Sequence, residues 1–228
     1  MPARKYLLED GTRVPGATTI IGARKEVGGL MHWAHSLGMQ GIDYKAARDA
    51  AADAGTLAHS MVDAYIHDTN PEAAVDEFVE ECKKEPEETA KMVKLADQAF
   101  RSFKLWWSAS KVEMLETEVP LVSEQHRFGG CLDAIGLVGD EKTLTLLDWK
   151  TSNAIYADYL IQVRAYAELW YEHHNERVER FNLARFGKEG ADFHYHSWSA
   201  EQLDPAWEEF LRMRASYDAF KGLRKLVK

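Results

Sequence analysis

The order of hydrophobic patterns along the chain predicts an α/β protein, a central sheet flanked by helices and preceded by a helical annex. Three observations carry that expectation. Alanine-rich and apolar residues at helical spacing dominate the first 110 positions. The texture then changes to three strand-like runs between Val112 and Thr151. A helical segment, two further strand-like runs and a closing helix follow. With 228 residues, 46% of them apolar, the chain suits a single domain: 1–110 mostly helical, 111–200 the sheet and its helix, 201–228 the closing helix.

Each element has its own signal. Tyr6 to Pro15 reads as a short hairpin turning at Asp10-Gly11. Thr18 to Gln40 reads as one or two short helices interrupted by Gly28-Gly29. Asp43 to His67 predicts a substantial helix, since alanine loses least in helical conformation. Pro71 and Pro86 suit the first turns of two more helices, because proline has no N–H to waste there. On the second of these, Phe100, Phe103 and Trp107 form one apolar stripe, read as core packing rather than a base-stacking face. Val112–Val122, Phe128–Val138 and Thr143–Thr151 are the strands, the last two joined at Gly139-Asp140. A helix from Tyr156 to His174 precedes strands at Phe181–Phe186 and Asp192–Trp198, with a turn at Gly187–Gly190 between them. Ser199, with Gln202 three residues on, forms a capping box for the last helix.

Composition narrows the function. No stretch approaches the roughly 20 apolar residues of a membrane span, and the charged first ten residues lack a signal core. Cys82 and Cys131 match no zinc spacing and are too few for an iron–sulfur cluster. A reduced, cytoplasmic protein with no membrane partner is expected. A net charge of −9 argues against a broad basic surface for duplex DNA. Much of the acid is local, with eight acidic residues from Glu72 to Glu88. The last eighteen residues, by contrast, hold six Lys or Arg against one acid, Asp218.

The chemistry concentrates around Gly129-Gly-Cys-Leu-Asp133 and Leu146-Leu-Asp148-Trp-Lys150. On a strand, Asp148 and Lys150 share a face while Trp149 points the other way. Asp148 follows an apolar run, where an unpaired carboxylate is expensive to bury. The Gly139-Asp140 turn folds the preceding strand back and can bring Asp133 beside Asp148. Two such carboxylates repel unless a cation lies between them, and oxygen ligands favour Mg²⁺ or Mn²⁺. A structural Asp148–Lys150 pair is the alternative that this dipeptide alone leaves open. Gln162 and Tyr166 share one helical face, with Tyr159 a turn earlier. Upstream, His59 lies inside the alanine-rich helix, with Asp63 one turn on as a carboxylate that can hold the imidazole for a metal.

Gly130-x-x-Asp133, Asp148-x-Lys150 and Gln162-x-x-x-Tyr166, in that order, resemble the motifs of the PD-(D/E)XK nucleases, specifically the RecB-like branch with its phage-type exonucleases. Gly55-Thr-Leu-Ala-His59 resembles the helical histidine motif of that branch, and Val14 to Ile21 with Leu30-x-x-Trp33-Ala34 resembles the openings of phage members. The resemblance implies a restriction-endonuclease-like core with a mixed sheet. It implies that His59, Asp133, Asp148 and the main-chain carbonyl of Trp149 bind one or two Mg²⁺ or Mn²⁺ ions. Lys150 then positions or activates the attacking water, and Gln162 and Tyr166 orient the substrate strand or support the metal. Thr151 and Ser152 are placed to donate to phosphate, and Glu118 is a carboxylate standing behind the ligands. The cysteines of cluster-bearing relatives are missing, so no iron–sulfur cluster is expected. The implied substrate is DNA, single-stranded or at ends, cut in recombination or repair, with a recombinase or single-strand-annealing protein as partner. An RNA-directed nuclease and a non-catalytic nucleic-acid-binding module of the same fold are the alternatives.

Overall fold

Why the sheet is mixed follows from how its strands are connected. The computed structural model describes residues 4–24, 28–152, 154–187 and 193–227. After the N-terminal hairpin, β1 (Tyr6–Leu7) and β2 (Arg13–Val14), come five helices: α1 (Ala17–Gly22), α2 (Gly28–Met39), α3 (Tyr44–Ile66), α4 (Pro71–Glu81) and α5 (Pro86–Ala109). Then follow β3 (Val112–Ser123), β4 (Phe128–Val138), β5 (Thr143–Lys150), α6 (Ala157–His174), β6 (Arg180–Phe186), β7 (Phe193–Ser199) and α7 (Ala200–Leu226). The last five strands pair in sequence order. Short turns make β3–β4 and β4–β5 antiparallel, β6 and β7 also pair antiparallel, and α6 carries the chain back so that β5 and β6 run parallel.

Local chemistry explains the ends of these elements. The Asp43 side chain caps α3 by accepting from the Lys45 N–H at 2.8 Å, and Pro71 and Pro86 open α4 and α5 as expected. Both hydrogen bonds of the Ser199–Gln202 capping box are present at the start of α7. Gly11, at φ +79°, makes the turn between β1 and β2. Two expectations shift. Gly28-Gly29 opens α2 rather than interrupting a helix. Phe100 and Phe103 of the aromatic stripe are core residues, but Trp106, not Trp107, is the tryptophan fully buried beside them. The turn expected at Gly187–Gly190, and Asp192 beyond it, lie mostly outside the described residues.

The sheet divides two apolar cores. On one side Leu146 and Phe181 pack with Ile20 of α1, Val163 and Leu169 of α6 and Phe210 of α7. On the other, Leu147 and Trp149 pack with Leu57 and Met61 of α3 and Phe103 and Trp106 of α5. Alternation along β5 therefore sends Asp148 and Lys150 to the face that carries Leu146, under α6.

Candidate active site

The β4–β5 ladder ends with Ala134 opposite Leu147. One more step of that register sets Asp133 opposite Asp148. There a side chain replaces the ladder, because Asp133 Oδ2 accepts the Trp149 N–H at 2.8 Å. On the other edge of β4, Thr117 pairs with Ala134 and Val119 with Leu132, so Glu118 faces Asp133. Glu118 has φ 49°, a left-handed conformation inside a strand that costs a non-glycine residue on the order of 1 kcal/mol or more. From α3, His59 Nδ1 stands 3.7 Å from Asp133 Oδ2. One ligand atom each of His59, Glu118 and Asp133 lies within 4.8 Å of the others.

Beside this triad lies a buried ion pair. Asp148 has no exposed surface, and its carboxylate is 2.5 Å from Lys150 Nζ. Beyond that ammonium, neither Asp148 oxygen has a hydrogen-bond donor among the described residues. Lys150 Nζ also donates to Gln162 Oε1 at 3.4 Å and lies 4.9 Å from the Tyr159 ring centre. Gln162 Nε2 in turn donates to the Tyr166 hydroxyl at 3.0 Å. The site opens to solvent on the triad side, where the His59 and Asp133 side chains are 26% and 13% exposed.

Two glycines let β4 fit here. A Cβ on Gly130 would fall 2.4 Å from Tyr166 Cε1, and one on Gly129 would fall 2.2 Å from Tyr6 Cγ. Both rings therefore lie directly against bare backbone just before Asp133.

Burial sets the protonation states. It raises Asp133 to about 6, against the opposing pull of Lys150 and the Trp149 N–H. It raises Asp148 to about 6 likewise, with Lys150 opposing and Asp133 reinforcing. Burial and the Lys150 charge push His59 below its ordinary value, which keeps the imidazole neutral and its nitrogens available as ligands. Burial pulls Lys150 down, but Asp148 and Asp133 together outweigh it and hold the ammonium above its usual value. Tyr166 stays a phenol because burial raises it well above the ordinary range.

The structure thus brings together His59, Asp133, Asp148, Lys150, Gln162 and Tyr166, with the Trp149 main chain at the centre. Three expectations need correction. Asp63 does not hold His59: it accepts from the Thr117 hydroxyl at 2.6 Å and sits 3.4 Å from His67 Nε2. Ser152 donates its hydroxyl to the Ala154 carbonyl at 2.7 Å, whereas Thr151 Oγ1 lies against Gly55 of α3. Glu118, expected behind the ligands, brings a carboxylate oxygen within 4.8 Å of the ligand atoms of His59 and Asp133. Sequence reading missed Cys131, whose Sγ is 3.4 Å from Glu118 Oε2 and accepts from Arg4 at 2.7 Å. Two-residue alternation with Asp133 was the available signal for Cys131; nothing local marks Arg4.

A family model of the PD-(D/E)XK nuclease superfamily matches residues 4–224, nearly the whole chain, and the protein belongs to that superfamily. No protein with a curated description matches the sequence. Similar solved structures include a "Putative exonuclease" from Eubacterium rectale, 14% identical, with TM-score 0.40, covering 72% of this chain and 68% of its own. Another is SSO0001, 9% identical with TM-score 0.26, covering 55% of this chain and 64% of its own. The donor set of carboxylates and one neutral imidazole, with a buried aspartate whose oxygens meet no donor but Lys150 among the described residues, fits a divalent cation.

Proposed function

We propose that the protein is a Mg²⁺- or Mn²⁺-dependent deoxyribonuclease, an exonuclease on single-stranded DNA or DNA ends that serves recombination or repair. The observation that carries this reading is the convergence of His59, Glu118 and Asp133 beside a fully buried Asp148 whose oxygens meet no donor among the described residues but the Lys150 ammonium. His59, Asp133, Asp148 and the Trp149 carbonyl are the groups to hold the cation, with Glu118 added from its position. His59, delivered to the sheet from a helix, supports membership of the RecB-like branch. A divalent ion bound there supplies a hydroxide at neutral pH and offsets charge on the phosphoryl oxygens.

The chain's own groups do the rest. Asp133 and Asp148, near 6, are carboxylates at neutral pH and so are ready to bind a cation. Lys150 is an ammonium, which suits it to donate to a phosphate oxygen rather than to remove a proton from water. Gln162 fixes the lysine and is itself fixed by Tyr166.

The test is incubation with end-labelled single- and double-stranded DNA, linear and circular, in Mg²⁺, Mn²⁺ or chelator. Metal-dependent loss of linear substrate is expected, with Asp148→Asn and Lys150→Gln slower by a factor of roughly a hundred or more. Folded wild-type protein that cleaves none of these substrates with either metal contradicts the reading.

A further inference from the structure

A groove of about 410 Å³ lies between the N-terminal hairpin with α1 on one side and α7 on the other. Its described lining holds three cations, Arg4, Arg13 and Lys221, together with the hydroxyls of Thr18, Thr19 and Tyr217, and no carboxylate. On a chain of net charge −9 that sign is against the average. Asp218, one turn from Lys221, is paired with Arg214 at 2.6 Å. Neither Arg13 nor Lys221 has an ion-pair partner among the described residues, so both charges are available to a ligand.

The groove adjoins the candidate active site. Arg4 reaches from it to Cys131, which contacts Glu118. Tyr6, another lining residue, lies on Gly129, four residues before Asp133.

We infer that this groove carries the phosphate backbone of single-stranded DNA beyond the bond being cut, with Arg4, Arg13 and Lys221 as the phosphate contacts. The inference rests on the nuclease reading and names where the uncut part of its substrate lies. Cations without carboxylate partners suit a polyanion. Tyrosine rings among them suit exposed bases, which a duplex does not offer. The basic closing helix thereby acquires a role in the strand's path, through Lys221.

The inference is tested by fluorescence anisotropy of a labelled single-stranded oligonucleotide in chelator, where nothing is cut, over a series of KCl concentrations. Arg13→Ala and Lys221→Ala are each expected to weaken binding about three- to tenfold and to lower the slope of log K against log salt by about 0.7. Lys111→Ala, on a charge outside the groove, leaves both unchanged. In the cleavage assay the two groove variants raise KM more than they lower kcat. If wild-type protein cleaves DNA while both variants match it in affinity, salt slope and KM, the groove assignment is overturned and the nuclease reading stands. If no cleavage occurs but the variants still lose affinity, the groove stands and the nuclease reading falls. A loss confined to duplex DNA or to RNA overturns the assignment to single-stranded DNA.

Discussion

Asp133 and Asp148 hold their protons more tightly than free aspartates do, since burial disfavours the charged form more than Lys150 restores it. That has a consequence for the metal-free protein. Between the ordinary value of 3.8 and the folded value of about 6, the folded chain keeps a proton that the unfolded chain has released. Stability therefore falls as pH rises through that window, by on the order of 3 kcal/mol for Asp148. In chelator, wild-type Tm should drop relative to that of Asp148→Asn as pH rises from 4 to 7; parallel curves would contradict the burial argument. Asp148 and Lys150 were legible because a strand's period of two puts them on one face after an apolar run. The role of Glu118 was not legible, because a left-handed residue inside β3 is imposed by tertiary contacts. Asp63 misled for a related reason: one helical turn from His59 is close enough to reach it, but Thr117 on β3 competes and wins.

At the scale of elements, the site depends on how closely α6 approaches β4. Gly130 is the point of contact, where an added methyl group meets Tyr166 at 2.4 Å and Leu169 at 2.9 Å. Gly130→Ala must push α6 outward or force a rotamer, at about 1–3 kcal/mol. A fall in Tm of roughly 5 °C is expected by thermal denaturation, together with slower cleavage as the Gln162–Tyr166 support of Lys150 moves. An unchanged Tm would show that α6 is not held as described. Helix starts were readable from Asp43, Pro71, Pro86 and Ser199, whose chemistry is local. The β3 register shift between Met114 and Glu116 and the depth of Trp106 were not, because each is decided by partners distant in sequence.

For the whole molecule, two cores on opposite faces of one sheet clamp the point where the β4–β5 ladder opens, and helices from both faces reach it: α3 brings His59, α6 brings Gln162 and Tyr166. The mixed sheet was foreseeable from the order of strands and helices, because a helix between β5 and β6 makes a parallel pair natural. The path of α7 past the N-terminal hairpin was not, since only its basic composition is written in the sequence. Net charge misleads at this scale, because the acids of residues 72–88 lie on α4 and the start of α5 while Arg4, Arg13 and Lys221 line a groove beside the site. Both the opened ladder and the carboxylates around it call for a divalent ion at this point. Anomalous diffraction from crystals soaked in Mn²⁺ reads it directly. A peak within about 2.0–2.3 Å of oxygens of Asp133 and Asp148, with His59 or Glu118 completing the shell, is the predicted result. A well-ordered, accessible site with no peak there would contradict it.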